Sequence, residues 1–583
     1  MNFYKTILKP TFQFLTPNDK RKGTWIVTLM VLNAILDFFS LASFLPLIFL
    51  IVNPEIISSN RIIHYLYTAF NFSSPASFII AFTGFILIFT LFKTMVALRI
   101  TRSKANYCFI LGSNLSSRML SQYMEVSYLK FTQMDFTKEL DRIANLPIAF
   151  ANNIIMPLAN LLSEGLVFFI LLVCIALYDV KVFVMLTIIL TPIGLVYLFK
   201  RKSLSQTSDE LSKKYPLSLK RALQIVEGLV DIKAFGRESF FKTRFNQVSQ
   251  DLAKTFARDH TNQTGASRLT EVIAAFIICS LILYAVVNNQ NYQQTFLLLG
   301  IYTGASFRMI PSLNRILNSV LQIKSHHYLF VELDGLVTLK PDRKDERVST
   351  LSFTHEIELR DLSFQYPDGT KVLDGTSLTI RKGEKIALVG KSGSGKTTML
   401  LIFLQFLKGN AGKIVLDDVE ISDDSLLEWR RIFSFVPQNP YLIDGTIVEN
   451  IAFGFSPESV NTEKIQQLIR DVDLEEMISQ LPNGLSTQIG EKGIKLSGGQ
   501  RQRIAIARAL YADAEVLLLD EITNQLDAQT ELEIISTLEK ITRQKKTILM
   551  ITHHDHLLDE FDRILSLDSG KISEMKPART SLK

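Results

Sequence analysis

The sequence predicts an α-helical membrane domain of six spans, followed by an α/β domain built on a glycine-rich phosphate loop. Three observations predict it. Apolar residues cluster before position 330, in a chain that is 47% hydrophobic with a mean hydropathy of +0.20. Basic residues gather on alternate connections between the apolar runs. Finally, Gly390-Lys391-Ser392-Gly393-Ser394-Gly395-Lys396-Thr397 stands between a short apolar strand and a helical stretch, the context in which such a loop wraps phosphate. At 583 residues there is room for two domains. A net charge of +6 is small for this length and gives no reason to expect a nucleic-acid partner.

In chain order, residues 2–15 alternate aromatic and basic types and read as an interfacial helix. Residues 24–52 form a 29-residue run with one charge, Asp37, long enough to cross a bilayer with tilt. A short mixed segment with a helical pattern, 54–72, follows. The remaining spans are 77–98 (charged only at Lys93), 146–177 (only at Glu164), 182–199, 272–287 and 295–307. No cleavable leader is expected, because residues 1–23 are polar and the first apolar run is too long for one. Cys108, Cys174 and Cys279 have no metal-like spacing and read as small buried apolar residues.

Loop charge orients the spans. Basic residues number five in 1–23, seven in 99–145 and thirteen in 200–260, whereas the opposite connections hold only Arg61 and Lys181. The excess of positive charge puts both termini and the long loops in the cytoplasm. Those loops carry helical pattern rather than turn chemistry. Residues 141–177 as one helix would run roughly 55 Å, against a hydrocarbon core of about 30 Å, so helices continue beyond the membrane as stalks. Turns near 128–138 and 221–231 are where the stalks reverse.

The second half begins after a charged stretch, 341–347. The expected boundaries are a membrane domain over 1–335, a linker over 336–355, an α/β P-loop NTPase cassette over 356–575, and a polar tail over 576–583. In the phosphate loop, backbone amides of 390–397 wrap the phosphates of ATP, Lys396 reaches the β/γ oxygens, Thr397 ligates Mg²⁺, and Thr398 continues the helix. A second apolar strand, 516–519, ends in Asp520-Glu521. Asp520 would hold Mg²⁺ through water, and Glu521 would orient and deprotonate the attacking water.

Further stretches carry a family resemblance. Leu496-Ser497-Gly498-Gly499-Gln500, continued by Arg501-Gln502-Arg503, resembles the signature of ATP-binding cassette (ABC) proteins. Tyr366 stands where an aromatic stacks on adenine, and Gln438 matches the loop that senses γ-phosphate and Mg²⁺. Glu491-Lys492-Gly493 resembles an exporter loop, Asp527 closes the D-loop, and His553 matches the histidine that contacts γ-phosphate. Gly228 to Lys233, leading into Phe235-Gly236-Arg237-Glu238, is the exporter wording for a coupling helix. The resemblance implies a six-span ABC exporter half-transporter whose signature serves the ATP on a partner's phosphate loop, hence a homodimer with two composite sites. Asn524-Gln525-Leu526-Asp527 and His554 depart from the usual pattern without removing a hydrolytic group.

The membrane half carries a softer resemblance. Leu36 to Ser40 with Phe44-Leu45-Pro46, the segment 54–72, and above all Ser306 to Ile316 are similar to the lipid-linked oligosaccharide flippases of bacterial protein glycosylation (PglK-type). That implies outward movement of a polyprenyl-pyrophosphate glycan across a bacterial inner membrane. Drugs, lipid A-like lipids or peptides are the alternative cargoes. Independently of the resemblance, Arg308 and Arg315 lie seven apart, on nearly one helix face and about 10 Å apart along the axis. A charge at such depth faces a cavity or a partner. Either the pair binds a lipid phosphate, or Arg308 pairs with Asp37 or Glu164 while Arg315 snorkels. Lys93, Arg99 and Arg268 are further candidates for a basic lining. Six spans exclude a soluble cassette protein of repair or translation; a gated channel would pass sustained current without turnover.

Overall fold

The computed structural model describes residues 7–52, 56–178, 180–287, 292–337, 351–523 and 546–575, with five further residues between 531 and 537. The chain divides into two compact units, Met1–Val126 with Gln133–Pro341, and Ser127–Thr132 with Asp342–Lys583. The linker residues 338–350, the tail and part of the 2–15 segment lie outside the described residues.

The first unit is helical. Short α1 (Lys9–Phe14) leads into α2 (Pro17–Ala42), whose start is fixed by Asp19: its carboxylate accepts from the Thr16 N–H at 3.0 Å and the Thr16 hydroxyl at 2.7 Å. The 29-residue run expected as one span breaks at Ser43 before α3 (Phe44–Val52). Pro46 is the cause, since it lacks an N–H and its ring crowds the carbonyl one turn back. The mixed segment becomes α4 (Ile56–Ser59) and α5 (Arg61–Ala69). Next comes α6 (Pro75–Met124), opened by a Ser74–Ser77 capping box with Pro75 at its first position. Its 50 residues extend about 75 Å, more than twice the hydrocarbon thickness.

The expected single helix over 141–177 is corrected. In its place stand α8 (Phe136–Ala144), α9 (Leu146–Phe150), a π turn (Ala151–Ile155) and α10 (Met156–Tyr178), after α7 (Tyr128–Gln133) at the first reversal. Pro147 cannot donate to the Ile143 carbonyl one turn back. That carbonyl accepts the Ser116 hydroxyl of α6 instead, so the break is satisfied by a neighbouring helix. Beyond it run α11 (Val180–Glu227), the short α12 (Leu229–Ala234), α13 (Glu238–Val287), α14 (Tyr292–Ser325) and α15 (Tyr328–Val337).

Among the described residues, three helices are long and apolar enough to cross a membrane: Pro17–Ser40, Pro75–Met124 and Leu146–Leu177. The other three expected spans fall within α11, α13 and α14, partly on residues whose side chains lie outside the description. Phe14, Cys108, Leu115, Phe150, Ile323 and Phe330 form a core. Phe150 meets Phe14 and Phe330 edge-on at 5.5 and 5.3 Å. Ile7, with Thr11 and Phe14 of α1, is thus buried in protein, and this segment is not spent wholly on a lipid surface. Of the cysteines only Cys108 is fully buried; Cys279, expected inside, is exposed on α13.

The second unit is α/β. An antiparallel sheet in the order β2–β1–β4–β5 is made of β1 (Glu356–Gln365), β2 (Lys371–Arg381), β4 (Ala411–Leu416) and β5 (Val419–Glu420). The second sheet has the order β10–β9–β3–β8–β7–β6, with β3 (Lys385–Val389), β6 (Phe433–Val436), β7 (Val516–Asp520), β8 (Thr547–Ile551) and β9 (Arg563–Asp568) parallel and β10 (Lys571–Met575) antiparallel at the edge. The burial of β7 and β8 at every position matches a parallel sheet covered on both faces. After β3, α16 spans Lys396–Phe403. Gln405 turns left-handed (φ +53°), and the Arg430 guanidinium donates to the freed carbonyls of Leu404 and Gln405, both at 3.1 Å. Within this unit the Tyr128 ring stacks on Phe406 at 6.0 Å, and Tyr128 and Leu129 pack against the cassette core.

Candidate nucleotide and membrane sites

Strands β3, β8 and β7 lie side by side and parallel, so the loops after them emerge at one sheet end, where ligands of such sheets bind. The loop after β3 is the glycine-rich one. Gly395 has φ +103°, and a Cβ there would lie 2.2 Å from Val372 Cγ1; a Cβ on Gly390 would lie 2.5 Å from the Leu567 carbonyl oxygen. Only glycine permits this close wrap. Lys396 is buried and curls back, its Nζ donating to the carbonyls of Gly390 at 2.9 Å and Lys391 at 3.1 Å. Desolvation lowers its pKa, while Glu521 and Asp520 pull it back up. Ser394 Oγ is buried in the same loop with no hydrogen-bond partner among the described residues. A polyphosphate would satisfy it, so the loop fits ATP.

Asp520 ends β7. Burial pushes its carboxyl up to about 6; the neighbouring Glu521 adds to the rise, and the Thr397 hydroxyl, 3.3 Å away, and Lys396 oppose it. A divalent cation would draw that proton off, and the Thr397–Asp520 pair presents the hard oxygen ligands that Mg²⁺ prefers. Glu521 sits in the left-handed region at φ +46°, a conformation that costs energy and concentrates at functional sites. Its N–H donates to the Ile551 carbonyl at 3.2 Å, which anchors the turn to β8. The carboxylate is gripped from two sides: Gln438 Nε2 donates to Oε2 at 3.1 Å, and His553 Nε2 lies 2.9 Å from Oε1. Four separate loops thereby bring Lys396, Thr397, Gln438, Asp520, Glu521 and His553 together.

Other expected residues are placed differently. Tyr366 follows β1, packs edge-on against Phe364 at 4.9 Å, and shares a hydrogen bond with Thr398 at 3.1 Å, beside the phosphate loop. Ser497 caps α17 (Gly498–Tyr511) through a reciprocal box with Gln500, at 3.2 and 2.9 Å. Ser497 and Gly498 are exposed, Gly499 is buried, and no hydrogen bond of this turn reaches the phosphate loop among the described residues. Asp527, with Asn524 to Leu526 and the side chain of Lys492, lies outside the described residues.

In the membrane half, Arg308 Nη2 lies 2.5 Å from Asp37 Oδ2 and 3.9 Å from Glu164 Oε2, and Lys93 Nζ lies 2.7 Å from Asp37 Oδ1. Arg315 Nη1 reaches Glu164 Oε1 at 2.6 Å, and the Ser312 hydroxyl donates to Glu164 Oε2 at 2.7 Å. Sequence reasoning held pairing and lipid binding open; the geometry supplies the pairing. Ser312 was missed, although it stands one turn from Arg308 on the same helix. Three cations meet two buried carboxylates here, Arg315 keeps 53% of its side chain exposed, and Arg308 Nε is buried without an acceptor among the described residues. Arg268 stays apart, paired with Glu271 at 3.1 Å on an exposed face, and Arg99 is exposed on α6.

Residues 373–524 match the model of a family described as ABC transporter. An ATP-dependent lipid A-core flippase of Vibrio vulnificus is 33% identical over 377 residues, 64% of each chain, so the match spans less than two thirds of that relative. A protein of the same title from Ralstonia nicotianae is 32% identical over 405 residues, 67% of each chain. An uncharacterized ABC transporter ATP-binding protein of Bacillus subtilis is 32% identical over 399 residues, 67% of this chain and 68% of its own. Among solved structures, a bacterial Atm1-family ABC exporter with ATP bound superposes with a TM-score of 0.75 at 20% identity, covering 95% of this chain and 94% of that one. The fold is that of an ABC exporter.

Proposed function

The chain belongs to the ABC transporter family, and we propose that it acts as a homodimer coupling ATP hydrolysis to outward movement of a phosphate-bearing lipid. The observation that carries the ATPase part is the grip on Glu521 by Gln438 and His553, beside the Thr397–Asp520 pair. In this reading Tyr366 stacks on adenine, residues 390–398 hold the phosphates, and Thr397, Asp520 and Gln438 hold Mg²⁺. Bound Mg²⁺ neutralises charge on the transferred phosphoryl group. Glu521 takes a proton from the attacking water, and His553 steadies the γ-phosphate. Ser497 to Gln500, with Asp527, serve the ATP of the partner subunit. The expected setting is a bacterial cytoplasmic membrane with the cassettes inside.

For the cargo, the surplus cation and the orphaned Arg308 Nε support a phosphate group. A phosphate is the acceptor that a guanidinium fork recognises best, and a lipid anchor suits a site between spans. Two lipid classes share this chemistry: the polyprenyl-pyrophosphate glycans suggested by residues 306–316, and the lipid A-like molecules named in the titles of the relatives. The test is ATPase stimulation and flipping in nanodiscs with each lipid. Arg308→Ala and Arg315→Ala should retain basal hydrolysis yet lose ~10- to 100-fold in apparent lipid affinity, the scale of one charge-assisted contact. Normally folded variants with undiminished flipping would overturn the headgroup assignment. Stimulation by one lipid class alone identifies the cargo.

A further inference from the structure

Together, α8, α9, α11, α13 and the α14–α15 corner enclose a cavity of about 200 Å³, larger than the roughly 150 Å³ that accepts benzene in an apolar core. Its wall is not apolar throughout. Asp141 faces it from α8 and is only 3% exposed; Asn145 Nδ2 donates to Oδ1 at 3.0 Å, and no cation pairs with the carboxylate among the described residues. Glu332 faces it from α15, already engaged by Lys138 Nζ and Arg142 Nη2, each at 3.2 Å. Tyr215, Phe256 and Tyr328 supply aromatic walls.

We propose that this cavity is a binding site for a small organic cation with an aromatic or apolar body, its positive charge held by Asp141. The site shares no residue with the ladder of Asp37, Arg308 and Glu164, and it does not depend on the identity of the transported lipid. The charge count favours a cation: Lys138 pairs with Glu332 and not with Asp141, and Arg142 is divided between Glu139 and Glu332. A buried carboxylate without a cationic partner is costly, and a guest of opposite charge relieves that cost. Aromatic faces add attraction for the same guest. Leu146 and Leu211 line the cavity as an apolar surface for its body.

Titration points the same way. Burial raises the Asp141 pKa, the Asn145 hydrogen bond lowers it and Glu332 raises it further. The other titratable groups at the wall are Lys138, Glu332, His326, Tyr215 and Tyr328, with Asp259 acting on His326 from behind. Burial depresses the His326 pKa below the usual imidazole range, against the opposing pull of Asp259, and burial raises both tyrosines, which stay neutral. Acid removes the Asp141 charge and adds one at His326. Both changes oppose a cation, so binding should weaken on acidification.

The experiment is calorimetric titration of the full-length protein in phosphatidylcholine nanodiscs, with empty nanodiscs as blank. Benzyltrimethylammonium is the probe; phenylacetate and phenylacetamide, anionic and neutral, are the controls. One saturable site per chain is expected for the cation, with neither control binding. Asp141→Asn should weaken the cation ~10-fold or more, the worth of a charge-assisted contact. That variant should fold: the raised pKa means the Asp141 charge detracts from stability at neutral pH, so its melting temperature should hold or rise. Ala149→Phe, which fills the cavity from α9, should abolish binding, and Leu211→Phe does the same from α11 if the first fails to fold. Absence of saturable cation binding, equal binding of phenylacetamide, or unchanged affinity in Asp141→Asn would each overturn the proposal.

Discussion

Glu521 shows how a single side chain is held ready for one task. Its backbone is forced left-handed at φ +46°, and its two oxygens are claimed from opposite sides by Gln438 and His553. The arrangement orients a carboxylate whose role, as proposed, is to accept a proton from water. Glu521→Gln should keep ATP binding and lower turnover by at least ~10²-fold, the scale of a lost general base. Near-wild-type hydrolysis in the purified variant would count against that role. At this scale the cassette residues were legible, because binding phosphate and a divalent ion restricts residue type and spacing to a narrow pattern. The grip on Glu521 was not, since Gln438 and His553 lie 83 and 32 residues away and only the sheet order makes them neighbours. Asp141 was invisible for the same reason: nothing local separates a buried carboxylate from a solvated one.

Two helical runs in this chain are interrupted just before a proline that removes a donor, and at one of them a neighbouring helix repairs the loss. Ser43 before Pro46 and Asn145 before Pro147 are both such places, and the second break is closed by the Ser116 hydroxyl on α6. Contact there is close because α6 carries Gly112 opposite the π turn. A Cβ at that glycine would lie 2.9 Å from Ala151 Cβ and 3.0 Å from the Pro147 carbonyl oxygen. Gly112→Leu should therefore cost about 1–3 kcal/mol through overpacking, seen as a lower melting temperature and poorer yield. Gly84→Leu, on the same helix with nothing within 4 Å of its Cβ, is the control and should be tolerated. Equal effects at both glycines would mean that helix propensity, not contact, governs the loss. Hydropathy read the long helices and their extension as stalks. It did not read the breaks as breaks, since proline is tolerated in apolar spans, nor which carboxylate Arg308 would choose among residues 144 and 271 positions distant.

At the scale of the molecule, the exporter fold was legible from the order of apolar runs, stalk-length loops and cassette motifs, and the superposition with an ABC exporter at 20% identity agrees with it. Less accessible is how the sites are completed. The signature turn caps its own helix through Ser497 and Gln500, leaving Ser497 and Gly498 exposed at the start of α17, while Lys396 and Glu521 gather elsewhere in the cassette. A helix start offers unpaired amides and a positive dipole end to an anion, so an exposed one is a half-site in search of a phosphate. If that phosphate belongs to the ATP of the partner subunit, Lys396 and Ser497 of one chain serve different nucleotides. Lys396→Ala and Ser497→Arg homodimers then have no intact site, whereas a heterodimer of the two has one. Co-expressed with distinct affinity tags and purified through both, the mixed dimer should trap ATP, measured as slow release of labelled nucleotide, when each homodimer does not. Failure of the demonstrated heterodimer to trap any would mean that the two residues act on the same nucleotide within one chain. The half-site reading of the signature would then fall, even with every residue of the hydrolytic cluster correctly assigned.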